Sequence, residues 1–308
     1  MSGAAESITR KIATAGDLEG VVRAMKALAV SSIGQYERSV LSLGEYYRTV
    51  ELGLSVCLRG RGPAPHELHK SGPDRDPVGA IVFGSDQALV GRFNEEIVAF
   101  ASKTLGALPG KTRRIWAVGE RAQALLLETG NTQPGILALP DSVGAITPLI
   151  GQLLIEVQQS IEKGEVVDIY LFHNKPKKGS AYEPVSRRLL PLDRAWHAQM
   201  EAMPWPTKIP PEVIEGPTPA LPAFLRGYFF VLLFQACAES LAAENASRLA
   251  AMQRAEKNID DMLVDLNRSF HRMRQEAIDE ELFDVIAGYE ALSKTDRGNA
   301  PAAPAPVG

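Results

Sequence analysis

Two long stretches of the chain, one towards each end, carry apolar residues at helical spacing. In the first, Ile8, Ile12, Ala15, Val22, Met25, Ala29, Tyr36, Val40, Leu43, Tyr47, Val50 and Leu54 recur mostly three, four or seven positions apart, the rhythm of one helix face. In the second, Leu249, Met252, Ile259, Met262, Leu266, Phe270, Met273, Ala277, Leu282, Val285, Tyr289 and Leu292 keep the same rhythm, with Arg, Lys, Glu and Asp between them. Proline agrees with this reading. None precedes Pro63 and none lies between Pro222 and Pro301, so neither stretch contains the residue that most disrupts a helix interior. The pattern predicts an N-terminal helix over 1–62 and a C-terminal helix over 217–294, packed as an antiparallel coiled coil. At about 1.5 Å of rise per residue, such helices reach roughly 75 Å and more, beyond the diameter of a small domain.

The residues between them alternate between two periods. Val78–Gly84, Arg113–Gly119, Gly135–Pro140 and Val166–Asn174 are short, β-rich runs, separated by helical patterns at Phe93–Leu105, Glu120–Thr129 and Ile146–Lys163. Such alternation predicts a mostly parallel, Rossmann-like α/β domain, which with its linkers covers 63–216. The turn after Phe83 reads GSDQALVGRFN. Gly84 and Gly91 are too far apart for a Gly-x-Gly-x-x-Gly phosphate cradle, and Gly-x-x-x-x-Gly-Lys-Ser/Thr is absent from the chain. The expected domain is therefore structural, with no nucleotide and no other cofactor. Residues 295–308, rich in Pro and Ala, read as a disordered tail.

Composition narrows the function classes. The 308 residues are 45% hydrophobic and 23% charged, with a formal net charge of -4; a mildly acidic balance gives no footing for nucleic acid, which calls for a clustered basic face. No cationic start followed by an apolar segment marks a secretory leader, and no unbroken apolar run approaches the ~20 residues of a membrane span; the longest, Tyr228–Ala238, is interrupted by Gln235. Cys57 and Cys237 are the only cysteines and read as buried apolar residues in a reducing compartment.

Candidate chemistry is sparse. His66 and His69 in HELH stand at i and i+3, whereas the zinc motif needs i and i+4, and the prolines around them point to a loop. Ser85 beside Asp86 lacks a nucleophile-elbow setting, and spacing ties none of His173, His197 or His271 to it. Lys175–Lys178, the KPKK run, reads as a solvated loop after a strand. No catalytic or metal-binding residue is expected. One segment asks for a different explanation: RAMKALA, Arg23–Ala29, places two cations three residues apart on a helix whose other faces are small and apolar. Such a helix suits close packing with cations directed at a partner.

At this point the chain resembles a known family. VVRAMKALA, SDQALVGRFN, HNKPKKGSAYEPVSRRLLPL and the C-terminal run from LLFQACAESLAAENASRLAAMQ to RMRQEAIDEELFDVIAGYEAL look like the gamma subunit of F-type ATP synthases, in that family's order and over most of the chain. The resemblance implies a non-catalytic central-stalk rotor whose coiled coil stands inside a hexamer of alternating alpha and beta subunits. The α/β domain would contact the epsilon subunit and the membrane ring of c subunits, with one copy per complex. Met25, Lys26, Arg248, Arg274 and Gln275 would meet the stator, with Lys26 and Arg23 facing acidic loops of the beta subunits. The implied location is peripheral, on the cytoplasmic face of a bacterial inner membrane, in a proton- or sodium-transporting machine. Two departures mark a divergent branch: Asp17, Leu18 and Gly20 replace the family's Asn-Thr pair and Lys, and Gln87–Gly91 replaces Arg-Gly-Leu-Cys-Gly. Read without the resemblance, the residues also accommodate an α/β enzyme with helical extensions or a coiled-coil scaffold.

Overall fold

The computed structural model describes residues 2–59, 77–108, 112–129, 135–177, 180–209, 211–213 and 216–298. The chain divides into two compact units, one of residues 1–24 with 253–308 and the other of residues 25–252. Helix α1 (Ser2–Ser42) and helix α7 (Pro217–Gly298) each contribute to both.

The first unit is helical. Ala15 and Val22 of α1 are 3% and 9% exposed, and Ile259 of α7 is 7% exposed; Ile8, Ile12, Glu19, Leu263, Leu266, Phe270, Met273 and Ala277 are half-buried. Those positions alternate three and four residues apart, the seam of a coiled coil. Met262, which the apolar series places in the seam, is 46% exposed, and Leu282 and Val285 are 55% and 69% exposed. The 3-4 alternation explains Met262: the seam steps from Ile259 to Leu263, leaving its neighbour outside. Helix α7 remains regular to Gly298, past residue 294.

The second unit is built on a five-stranded sheet of order β3-β2-β1-β4-β5, from β1 (Val78–Phe83), β2 (Thr112–Val118), β3 (Gly135–Leu137), β4 (Asp168–Lys177) and β5 (Ser180–Leu190). β1 pairs in parallel with β2 and β4, β2 in parallel with β3, and β4 antiparallel with β5. All six residues of β1 are buried, as a central parallel strand covered on both faces requires. Ala80, Val82, Ile115 and Ala117 face α3 (Phe93–Gly106) and α4 (Glu120–Glu128). Ile81, Phe83, Trp116 and Val118 face α5 (Val143–Glu162) and Tyr228–Ala242 of α7. That part of α7 belongs to a helix long and apolar enough, by composition alone, to cross a membrane, its best 18-residue window having a mean hydropathy of 1.5. A count of unbroken apolar residues misses the window because Gln235 interrupts it. Here Tyr228, Leu232, Leu233 and Cys237 are core of the sheet unit.

Three features depart from the sequence expectation. The first helix breaks at Leu43, and α2 (Gly44–Leu58) restarts directly after it. β5 and α6 (Arg194–Ala202) carry no period that announces them. The KPKK run is not a loop after a strand, since Lys175–Lys177 lie within β4 and Lys177 meets Glu183 of β5 at 2.6 Å; Lys178 lies outside the described residues, as do His66 and His69.

Candidate functional site

Four segments of the sheet unit converge on a cleft of about 400 Å³: α1 through Met25, Leu28 and Tyr36, the turn after β1 through Asp86 and Gln87, the segment after β3 through Leu139, Pro140 and Asp141, and α7 through Leu241, Glu244, Asn245 and Arg248. Heptad spacing places the α1 and α7 residues here. Ala29 and Tyr36 follow one another at seven on α1, and Ala238, Asn245 and Met252 do so on α7; all five are buried, so residues between them flank the contact face.

The turn after β1 is fixed by a set of polar contacts. Ser85 is fully buried, its N–H donates to Asn94 Oδ1 at 2.9 Å, and Asn94 Nδ2 donates to Ser85 Oγ at 2.8 Å. Asp86 Oδ1 accepts from the Glu120 N–H at 2.8 Å, capping α4. Gly119 adopts φ 104°, and a Cβ there would sit 2.9 Å from the Ser85 backbone. Ser247 Oγ donates to the Val90 carbonyl, tying α7 to the same turn. Ser85 therefore serves the architecture of the turn, and Asp86 faces the cleft from a helix cap.

At the cleft wall, Arg248 Nη2 lies 2.6 Å from Glu244 Oε1, with 13% and 4% of the two side chains exposed, and Arg248 Nη1 donates to Asn245 Oδ1 at 3.2 Å. Burial pushes the Glu244 carboxyl above the ordinary range and Asp86 adds to that, while the charge and hydrogen bond of Arg248 oppose it. Glu244 Oε2 and Arg248 Nε are buried without a hydrogen-bond partner. Burial raises the Tyr36 phenol as well, reinforced by Glu244. A second charged group anchors α7 to the sheet: Glu239 Oε2 meets His173 Nε2 of β4 at 2.9 Å, and Glu239 Oε1 accepts from Gln235 Nε2 at 2.8 Å. Burial opposes the Glu239 charge, but His173, Gln235 and Lys175 outweigh it and hold the carboxyl below its ordinary range.

The sequence-derived contact residues are distributed unevenly. Met25 and Lys26 are half-buried on α1, and Arg23 forms an ion pair with Glu19 one turn back. Arg248 is not a projecting cation, since Glu244 and Asn245 hold it in the wall. Arg274 and Gln275 belong to the helical unit and are exposed. Leu28, read as part of a packed apolar surface, is 68% exposed. Sequence reasoning missed Glu244 and Asp141; the i, i+4 spacing of Glu244 to Arg248 was the available signal. Among the described residues no group of three or more His, Cys, Asp or Glu could hold a metal ion.

The family described as ATP synthase matches residues 4–292. The ATP synthase gamma chain of Arthrobacter sp. (strain FB24) is 26% identical over 302 residues, covering 92% of this chain and 96% of the relative. That of Nitratidesulfovibrio vulgaris is 24% identical over 285 residues, with the same coverage of 92% and 96%. Among solved structures, a chain of the Euglena gracilis mitochondrial ATP synthase, in a structure of OSCP, F1 and c-ring, superposes with a TM-score of 0.63 at 14% identity over 100% of both chains. A chain from the central stalk and c-ring structure of Tetrahymena thermophila mitochondrial ATP synthase gives a TM-score of 0.51 at 18% identity, covering 76% of this chain and 99% of that one. Both share the fold described above.

Proposed function

The chain belongs to the gamma-subunit family of ATP synthases, and from that premise we propose that it is the central-stalk rotor of such a machine, coupling rotation of a membrane ring to conformational change in a hexamer of alpha and beta subunits. The observation that carries this reading is the extent of the family match, residues 4–292, which takes in the whole sheet unit and nearly all of both terminal helices. The subunit itself is non-catalytic.

Its mechanism follows from a mismatch of symmetry. Three equivalent catalytic sites around one asymmetric shaft meet three different faces of it. Each contact stabilises one conformer of its neighbour over another by a differential free energy, and rotation exchanges those biases in sequence. A rotor acts in this way without touching nucleotide. Met25 and Lys26 on α1, and Arg274 and Gln275 on the exposed surface of α7, are the positions we assign to stator contact, with Arg248 shaping the wall beside Met25. The α/β domain, away from that wall, is assigned to the epsilon subunit and the c-ring end of the machine. We place the complex on the cytoplasmic face of a bacterial inner membrane, transporting protons or sodium ions.

Reconstitution with purified alpha and beta subunits tests the reading. One copy of this chain per three of each, with ATP-driven pumping after addition of the membrane sector, is the expected result; comparing sodium-free and sodium-containing vesicles identifies the ion. A homodimer that ignores both subunits would overturn it.

A further inference from the structure

The cleft beside Met25 has a charge opposite to that of the cations first read from the helix. Three carboxylates line it, Asp86, Asp141 and Glu244, against one guanidinium, that of Arg248, and Glu244 and Asn245 already engage that guanidinium. Inside the cleft, Glu244 is 3% exposed and its Oε2 is buried with no donor. Leaving a buried carboxylate oxygen unmatched is costly, so the geometry favours a donor brought from outside. The exposed part of the lining is mixed: Leu28 is 68% exposed, with Met25 and Leu139 half-buried, and Asp86 and Asp141 are exposed as well.

An occupant that satisfies both parts has an aliphatic body and a cationic end. We propose that the cleft receives a lysine or arginine side chain from a subunit of the surrounding hexamer, its methylenes against Met25 and Leu28 and its charge towards Asp141, Asp86 and the free oxygen of Glu244. This contact is complementary in sign to the acidic loops assigned to Lys26, and it rests on the rotor reading. It gives the shaft two adjacent patches of opposite charge, so a stator segment is recognised in one register, because a shift brings like charges together.

The test uses the full chain reconstituted with its alpha and beta subunits, with affinity measured by titration at low and high ionic strength. Asp141 is exposed, and Asp86→Asn retains an oxygen to cap α4, so both variants should fold. Asp141→Lys is expected to weaken association about tenfold at low salt, with a gap that narrows at high salt, and Asp86→Asn by a smaller factor in the same direction. Wild-type affinity for both variants would overturn the proposal and leave the cleft to solvent. Tighter binding by Asp141→Lys would also overturn it, assigning an acidic occupant. If the unaltered chain formed no complex, the rotor reading would fail first, and the cleft proposal with it; a normal complex indifferent to both variants would remove the cleft proposal alone.

Discussion

Glu244 and Arg248 are stacked one turn apart on α7 and are both largely out of solvent, so each is costly without the other. Replacing Arg248 with Ala leaves a buried carboxylate uncompensated, and unfolding in urea should show a loss of about 3 kcal/mol. A double change to Leu at 244 and Met at 248 removes both charges and should recover most of that loss. Glu239 gives a pH-dependent counterpart. Its folded carboxyl titrates below the ordinary value of 4.5 because hydrogen bonds and charge from His173, Gln235 and Lys175 outweigh burial. Near pH 4.5 the folded protein therefore binds fewer protons than the unfolded chain. The contribution is present above that pH and is lost as pH falls through the lower, folded value. Glu239→Gln should cost about 1 kcal/mol at pH 7, the scale of a charged hydrogen bond, with the difference from wild type fading at acid pH in paired urea titrations.

At the scale of elements, what the sequence shows depends on whether an element's own side chains carry its period. β1 is apolar throughout because both its faces are covered, and α3, α4 and α5 each bury a stripe, so all four are legible. β5 sits at a sheet edge, holds Pro184 and two arginines, and is mostly half-buried; its pairing comes from β4, which no local pattern records. The cleft was legible only in part: Met25 stands out within RAMKALA and Arg248 enters only through the family resemblance, whereas Asp141 reaches it through the fold after β3. Glycines show the same limit. Gly16, Gly20, Gly34, Gly44 and Gly53 look alike along the first helical stretch of the sequence. A Cβ meets nothing within 4 Å at the first four, but at Gly53 it would lie 2.1 Å from the ring of Phe224. Gly53→Ala should therefore destabilise by about 1–3 kcal/mol as α2 and the start of α7 are forced apart. Gly34→Ala, in open space within a helix, should stabilise by about 0.5–1 kcal/mol. Thermal melts of the two variants, read side by side, distinguish a contact from mere composition.

For the whole molecule, the consequential fact is that α7 is one helix from Pro217 to Gly298, with core residues in the sheet unit at one end and seam residues such as Ile259 in the helical unit at the other. In a rotor, that continuity carries displacement from one unit into the other. Met262 isolates the continuity from packing. Because it is 46% exposed, Met262→Ala removes little buried surface and should change stability by no more than about 0.5 kcal/mol, leaving assembly and pumping near wild type. Met262→Pro keeps the same exposure but deletes a backbone hydrogen bond and clashes with the preceding turn, a cost of about 3 kcal/mol together with a kink. ATP hydrolysis by the assembled hexamer can continue around such a rotor, since the catalytic groups lie on other subunits, whereas ion pumping in vesicles requires an unbroken α7. Pumping should therefore fall to background in the proline variant while the alanine variant pumps normally. Equal pumping by both would mean that an unbroken α7 is not what transmits rotation.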